Sequence, residues 1–280
     1  MTISDALRQA AAALAPISDT PRLDAELLMA HALGVTRSEL LLRQMAGRLP
    51  AAFAPLLARR QRHEPIAYIL GSQQFFGLDF IVTPDVLIPR GDSEVLVEVA
   101  LKTAGKALSV LDCGTGSGAL LLALLSQLPA AHGVGIDRSL AALSVAAANA
   151  ARLGLAARVR MMHADWDESG WARDLGSFDL ILANPPYVED DAQLAPTVRD
   201  HEPAGALFAG PDGLDAYRIL LPQLPALLAP AGVALVEIGG ALAAPVSAIA
   251  EASGLAAKLH RDLAGRPRAL ELVPRDIQGR

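Results

Sequence analysis

The sequence predicts an α/β chain: a mostly parallel seven-stranded sheet that ends in an antiparallel hairpin, preceded by a small α-helical unit. Three observations carry this expectation. From about residue 92, β-rich apolar runs alternate with helical stretches. Before residue 72, helical spacing recurs without strand-like runs between. Near the end, two strand-like runs flank Gly265-Arg266-Pro267, the composition of a hairpin turn.

Residues 1–72 read as a helical bundle. Pro21 suits a first helical position, Leu23, Leu27, Leu28 and Leu33 follow at helical spacing, and Gly34 stops the run. Thr36 or Ser38 can cap TRSELLLRQ, and Pro50 precedes a helix through FAPLLARRQRH. Residues 73–91 alternate aromatic and β-branched side chains around Gly77, which predicts a β-hairpin linker. In residues 92–280, strands are expected at 109–113, 133–137, 158–165, 178–184 and 233–239, with closing strands at 256–262 and 268–273. Helices are expected at 117–128, 139–153, 213–229 and 241–253. In such a sheet, ligands bind at the carboxyl ends of the parallel strands.

The bulk numbers exclude several classes. The 280 residues carry 24 basic and 30 acidic groups, a balance of −6 that does not suit a basic nucleic-acid face. Residues 1–75 are mildly basic, with 8 basic and 6 acidic groups, against 16 and 24 in the remainder. A single cysteine, Cys113, rules out an internal disulfide and suits a reducing compartment. It has no evident histidine partner and reads as a packing residue. The six histidines form no i, i+4 pair and no cluster with cysteine, so no metal is expected. The start resembles an amphipathic helix more than a signal peptide, and no apolar stretch reaches spanning length. The expectation is a soluble, cytoplasmic protein. Arg59, Arg60, Arg62 and His63 read as a solvated helix face, and Glu202-Pro203 reads equally as a loop turn or a lid.

The stretch LDCGTGSGAL follows a strand and opens a helix. Gly114, Gly116 and Gly118 permit a tight turn and close approach of a ligand to bare backbone. Asp137 ends the next strand, 21 residues after Gly116, where a carboxylate can accept from both hydroxyls of a ribose. Gly114, Gly116 and Ala119 also fit the looser dinucleotide pattern, so a nicotinamide cofactor stays formally open. Two residues favour S-adenosylmethionine instead. Asp112, directly before the loop, would repel a pyrophosphate but suits a sulfonium ligand with an ammonium group. Asp165-Trp166 ends a third strand with an aromatic face where an adenine would lie.

A fourth strand runs into Asn184-Pro185-Pro186-Tyr187. Prolines cannot extend a ladder, so the strand must stop there, on the same edge as the glycine loop. The Asn184 side-chain oxygen can accept one N–H of a planar amide or amine, and the Pro185 carbonyl can accept the other. Tyr187 can stack on the planar group, while Pro185 and Pro186 stiffen the backbone. An amide nitrogen is a poor nucleophile, so fixing both hydrogens orients it for in-line methyl transfer; orientation contributes at most about 7–11 kcal/mol.

The quartet resembles the motif of methyltransferases that modify planar amino groups. The whole chain resembles the PrmC/HemK family, the protein-(glutamine N5) methyltransferases of peptide chain release factors. The match covers PIAYILGSQQFFG (65–77), LIPRGDSE (87–94), DCGTGSG (112–118), GIDRS (135–139), HADW (163–166), NPPY (184–187), HEPAGALFAGPDGL (201–214) and DLAGRPR (262–268). It departs where Cys113 replaces a common Leu, where Gly91-Asp92-Ser93 replaces Pro-Glu-Thr or Pro-Asp-Thr, and at Gly240-Ala241. The resemblance implies a class I, Rossmann-like methyltransferase domain at 92–280 and a partner-docking bundle at 1–72. It implies that Gly114, Thr115, Gly116, Ser117 and Gly118 cradle the methionine end of S-adenosylmethionine, that Asp137 holds the ribose and that Trp166 lies near the adenine. Asn184 belongs to both the cofactor and the substrate sets. Asn184, Pro185, Pro186 and Tyr187 then grip the glutamine of the release factor's Gly-Gly-Gln loop, with no direct nucleic acid, membrane or metal involved. Two alternatives stay beside this reading: a nucleic-acid methyltransferase acting on adenine N6 or guanine N2, and a non-catalytic cofactor-binding scaffold.

Overall fold

A computed structural model describes residues 1–104 and 106–275. The chain forms two compact units. Met1–Ser72 clusters with Leu194–Glu202, and Gln73–Gln193 clusters with the residues from Pro203 onward.

The first unit is helical. Helix Ile3–Leu14 opens with a capping box, in which Thr2 and Asp5 satisfy each other's backbone N–H groups. Pro21 starts helix Pro21–Leu33 and Gly34, at φ 66°, ends it, as the sequence predicts. Thr36 caps the short turn Arg37–Glu39, which continues as a π-helical turn, Leu40–Gln44. Helices Phe53–Gln61 and Ile66–Leu70 complete the set. Ile3, Leu7, Leu14, Leu28, Met29, Leu40 and Phe53 form its core.

The second unit begins with a hairpin, β1 (Ser72–Phe75) and β2 (Leu78–Ile81), whose two turn residues Phe76 and Gly77 both have positive φ. Its main sheet holds β3 (Ser109–Cys113), β4 (His132–Asp137), β5 (Val159–His163), β6 (Phe178–Ala183), β7 (Leu228–Glu237), β8 (Leu255–Arg261) and β9 (Pro267–Pro274). The order is β5-β4-β3-β6-β7-β9-β8, with the first five strands parallel and β9 antiparallel to both of its neighbours. Alternate residues serve opposite faces. Val110, Leu180, Leu182 and Leu235 pack under helices Glu94–Thr103 and Ala119–Gln127. Leu111, Cys113, Ile181, Ala183 and Val236 pack against residues from Tyr217 to Leu227 and against Val246. Both faces are therefore apolar, which is why the strands read as unbroken hydrophobic runs.

One expected element differs. The helix expected at 213–229 is three short pieces: Asp215–Leu220, the 3-10 turn Leu221–Gln223, and Leu224–Leu227. Pro222 and Pro225 break it, since neither donates a backbone hydrogen bond. Strand β7 consequently starts at Leu228 rather than 233, with a register shift opposite Phe178–Leu180.

Candidate active site

The parallel register fixes the geometry. Cys113 pairs with Ile136 and with Ala183, and Ala183 pairs with Val236. Gly114, Asp137, Asn184 and Glu237 each follow one of these residues, so four chemistry-bearing positions form a row along the carboxyl edge. A cavity of about 370 Å³ opens there, lined by Gly114, Thr115, Gly116, Ser117, Asp137, Trp166, Asn184 and Pro186. Phe75 of the hairpin and Leu87, Pro89, Arg90 and Ser93 form another part of the wall.

The glycine loop is held from below. The Gly114 and Thr115 N–H groups both donate to the Ile136 carbonyl, at 2.9 and 2.8 Å. Gly116, at φ 54°, has open space where a Cβ would stand, while a Cβ on Gly114 would lie 3.0 Å from the Trp166 ring. Gly118 differs from its expected place. It is not on the cavity wall; its φ of 80° calls for glycine in the turn, and a Cβ there would also meet Leu122 and Ala146.

Asp137 is pre-oriented: its Oδ2 accepts from the Gly116 N–H at 2.9 Å and its Oδ1 from the Ser139 N–H at 2.8 Å. Each oxygen keeps a lone pair for a ligand. Asp112 lies beneath the loop, almost completely buried. Its Oδ2 accepts from the Thr115 hydroxyl at 2.7 Å, and its Oδ1 lacks a hydrogen bond of normal geometry. Burial pushes its carboxyl up to about 7; the Thr115 bond opposes that shift and the nearby Asp137 charge adds to it.

In the quartet, Asn184 and Pro186 reach the cavity and Pro185 is buried. Tyr187 departs from its expected position, being absent from the cavity wall. Its hydroxyl points to Glu237 Oε1 at 3.4 Å, and its main chain and ring lie against Gly213 and Gly239, where a Cβ would come within 2.5 and 3.2 Å. Burial pushes the Tyr187 phenol up to about 12, and the Glu237 charge adds to it.

Glu237 itself escaped the sequence reading. It is buried, Tyr217 donates to its backbone carbonyl at 2.9 Å, and its Oε2 has no hydrogen bond of normal geometry. Burial raises its carboxyl to about 7, while the neighbouring Ser93 hydroxyl, Tyr187 and the Arg268 charge pull it down. A lone acid inside the apolar run VALVEIG was the available signal.

These groups fit S-adenosylmethionine. A fixed carboxylate, an aromatic face and bare loop backbone line one cavity. Among the described residues no group of three or more His, Cys, Asp or Glu could hold a metal, and no helix is long and apolar enough to cross a membrane.

Comparison with known proteins agrees with the geometry. Residues 5–71 match the PrmC N-terminal domain, and residues 104–239 match a methyltransferase domain. A release factor glutamine methyltransferase of Cereibacter sphaeroides is 44% identical over 276 residues, covering 96% of this chain and 97% of that protein. Another, from Caulobacter vibrioides, is 43% identical over 243 residues, covering 84% and 83% respectively. A methyltransferase structure from Pyrococcus furiosus shares the fold, with a TM-score of 0.52 at 18% identity over 78% of this chain and 98% of that one. Identity of this extent across both matched segments has one consequence: the chain belongs to the release factor glutamine methyltransferase family.

Proposed function

We propose that this protein transfers a methyl group from S-adenosylmethionine to the side-chain amide nitrogen, N5, of the glutamine in the Gly-Gly-Gln motif of peptide chain release factors. The observation that carries the reading is the placement of Asn184 and Pro186 on one cavity wall with the glycine loop and Asp137. S-adenosylmethionine supplies an electrophilic methyl on its sulfonium sulfur. In this reading Gly114, Thr115, Gly116 and Ser117 receive the methionine end, Asp137 accepts from the ribose hydroxyls and Trp166 covers the adenine.

Asn184 accepts one amide hydrogen through its side-chain oxygen. The Pro185 carbonyl, two residues beyond the last paired residue of β6, accepts the other. Holding both hydrogens aims the nitrogen and withdraws it from amide resonance, so no base is needed before transfer, and the surplus proton leaves the nitrogen to water afterwards. Tyr187, anchored toward Glu237, backs the quartet from behind. The helical unit docks the protein substrate, a role supported by its match to the PrmC N-terminal domain and by Leu42, which is 81% exposed. A release factor acts in translation, and that supports a cytoplasmic enzyme whose partner is the protein substrate.

The test is a mass measurement. Purified release factor is incubated with enzyme and S-adenosylmethionine, and the Gly-Gly-Gln peptide is weighed. One added methyl on the glutamine is expected, with Asn184→Ala slower by about 10²-fold or more. Methyl label on nucleic acid, with none on the peptide, would overturn the substrate assignment.

A further inference from the structure

Two segments that the chemistry above leaves unused, 87–94 and 262–268, meet in a closed ring of charges. Arg268 places Nη2 2.5 Å from Asp92 and Nε 3.2 Å from Asp262. Arg266 places Nε 2.7 Å from Asp262 and Nη2 3.4 Å from Asp92. Burial works against the Asp262 charge, yet the Arg266 N–H and the two guanidinium groups bring its carboxyl down to about 2.

We propose that Arg268 is a positioning residue for methyl transfer: by holding Asp92 it fixes the 87–93 segment that forms one wall of the cavity. The inference rests on the methyltransferase reading above. Leu87, Pro89, Arg90 and Ser93 touch the cavity, yet between β2 and the short turn Gly91–Ser93 the segment has no regular secondary structure. Its shape must come from anchors. One is Glu94, whose carboxylate accepts the Phe76 N–H at 2.8 Å and ties the segment to the hairpin. The other is Asp92.

Of its two partners, Arg268 is the stronger. Its side chain is 15% exposed against 58% for Arg266, and its contact to Asp92 is shorter by almost an ångström. A partly desolvated pair is screened less than an open one. The origin of Arg268 is also rigid, since its backbone carbonyl accepts the Ile238 N–H at 2.9 Å, directly after Glu237 on β7. The sheet thus holds the guanidinium, the guanidinium holds Asp92, and Asp92 holds the wall. A shift of about 1 Å in such a wall is enough to slow a reaction by up to about 10²-fold.

The experiment compares Asp92→Asn, Asp92→Glu, Arg268→Met and the Asp92→Asn/Arg268→Met pair in the full-length enzyme. Steady-state transfer to a release factor and hydrogen exchange of the 87–94 amides are measured on each. Asp92→Asn is expected to lower kcat by about tenfold, with KM for the release factor held within about threefold. Its 87–94 amides exchange faster while the β3 and β6 amides do not. Asp92→Glu restores most of the rate, and the double variant is no slower than Arg268→Met alone. Wild-type rates and exchange in Asp92→Asn, or additive losses in the double variant, would overturn the clamp. If the wild type itself methylates no release-factor glutamine, the substrate reading fails, and the exchange comparison still decides the role of Arg268.

Discussion

The helical unit and the carboxyl edge of the sheet bury carboxylates in opposite ways. In the helical unit, Asp24 accepts from Arg60 at 2.8 Å and from the Ser18 and Thr20 hydroxyls, and Glu26 accepts from Arg22 and Arg37 at 2.5 and 2.8 Å. Burial works against the Glu26 charge, but the two arginines keep its carboxyl below the usual range. There the unmatched buried atom is a donor, Arg60 Nη1. In the sheet unit, Asp112 and Glu237 each keep an oxygen without a normal hydrogen bond, and both are raised to about 7. Paired burial fixes helices to each other. Unpaired burial at the carboxyl edge of a sheet stores polarity beside a cavity, at a cost in stability.

Removing one partner should separate the two cases most sharply. Arg60→Met leaves Asp24 buried without its cation and is expected to destabilise the helical unit by about 3–5 kcal/mol in urea unfolding. Adding Asp24→Leu should recover most of that loss. An unchanged midpoint in Arg60→Met would break the comparison.

Asp112→Asn should do the reverse. A carboxyl raised from 3.8 to about 7 on folding contributes stability that is complete below its unfolded value and lost as pH rises through 7. The ligand-free protein is therefore expected to weaken between pH 5 and pH 8, with Glu237, which faces Tyr187, Ser93, Arg268 and Asp92, contributing in the same direction. Asp112→Asn should be the more stable protein at pH 8, and its advantage should shrink by on the order of 2 kcal/mol at pH 5. Thermal melts at the two pH values read this directly; a variant equally affected at both would show that Asp112 is not the titrating group.

The smallest effect marks the baseline. Arg8 pairs with Asp5 in the open, the two side chains being 72% and 39% exposed. Arg8→Ala should leave the urea midpoint unmoved, as exposed pairs usually do. A clear shift would mean that exposure, rather than pairing, had been misjudged in the helical unit.

Much of this was legible in the chain itself. Seven strands, the parallel order implied by alternation, the end hairpin, and the glycine and quartet turns follow from local sequence, because periodicity and Gly or Pro punctuation act over a few residues. The break at Pro222 and Pro225 is equally local, although the apolar run around it has the spacing of a single helix. Gly118 combines the two: its φ of 80° is a local demand of the turn, while Ala146, which a Cβ there would meet, lies 28 positions away in a separate helix.

The residues by themselves therefore determined the class of fold and the strand ends that carry the glycine loop, Asp137 and the quartet. Tertiary structure alone decided which of those side chains face the cavity. It turned the Tyr187 hydroxyl toward Glu237, set Asn184 beside Gly114 through the β3–β6 register, and closed a ring of Asp92, Asp262, Arg266 and Arg268 in which Asp92 and Arg266 are 174 positions apart. The physical reason is range. Hydrogen-bonding punctuation and side-chain period are written into neighbouring residues, whereas burial, charge pairing and cavity walls depend on residues the chain brings together only once the sheet has formed.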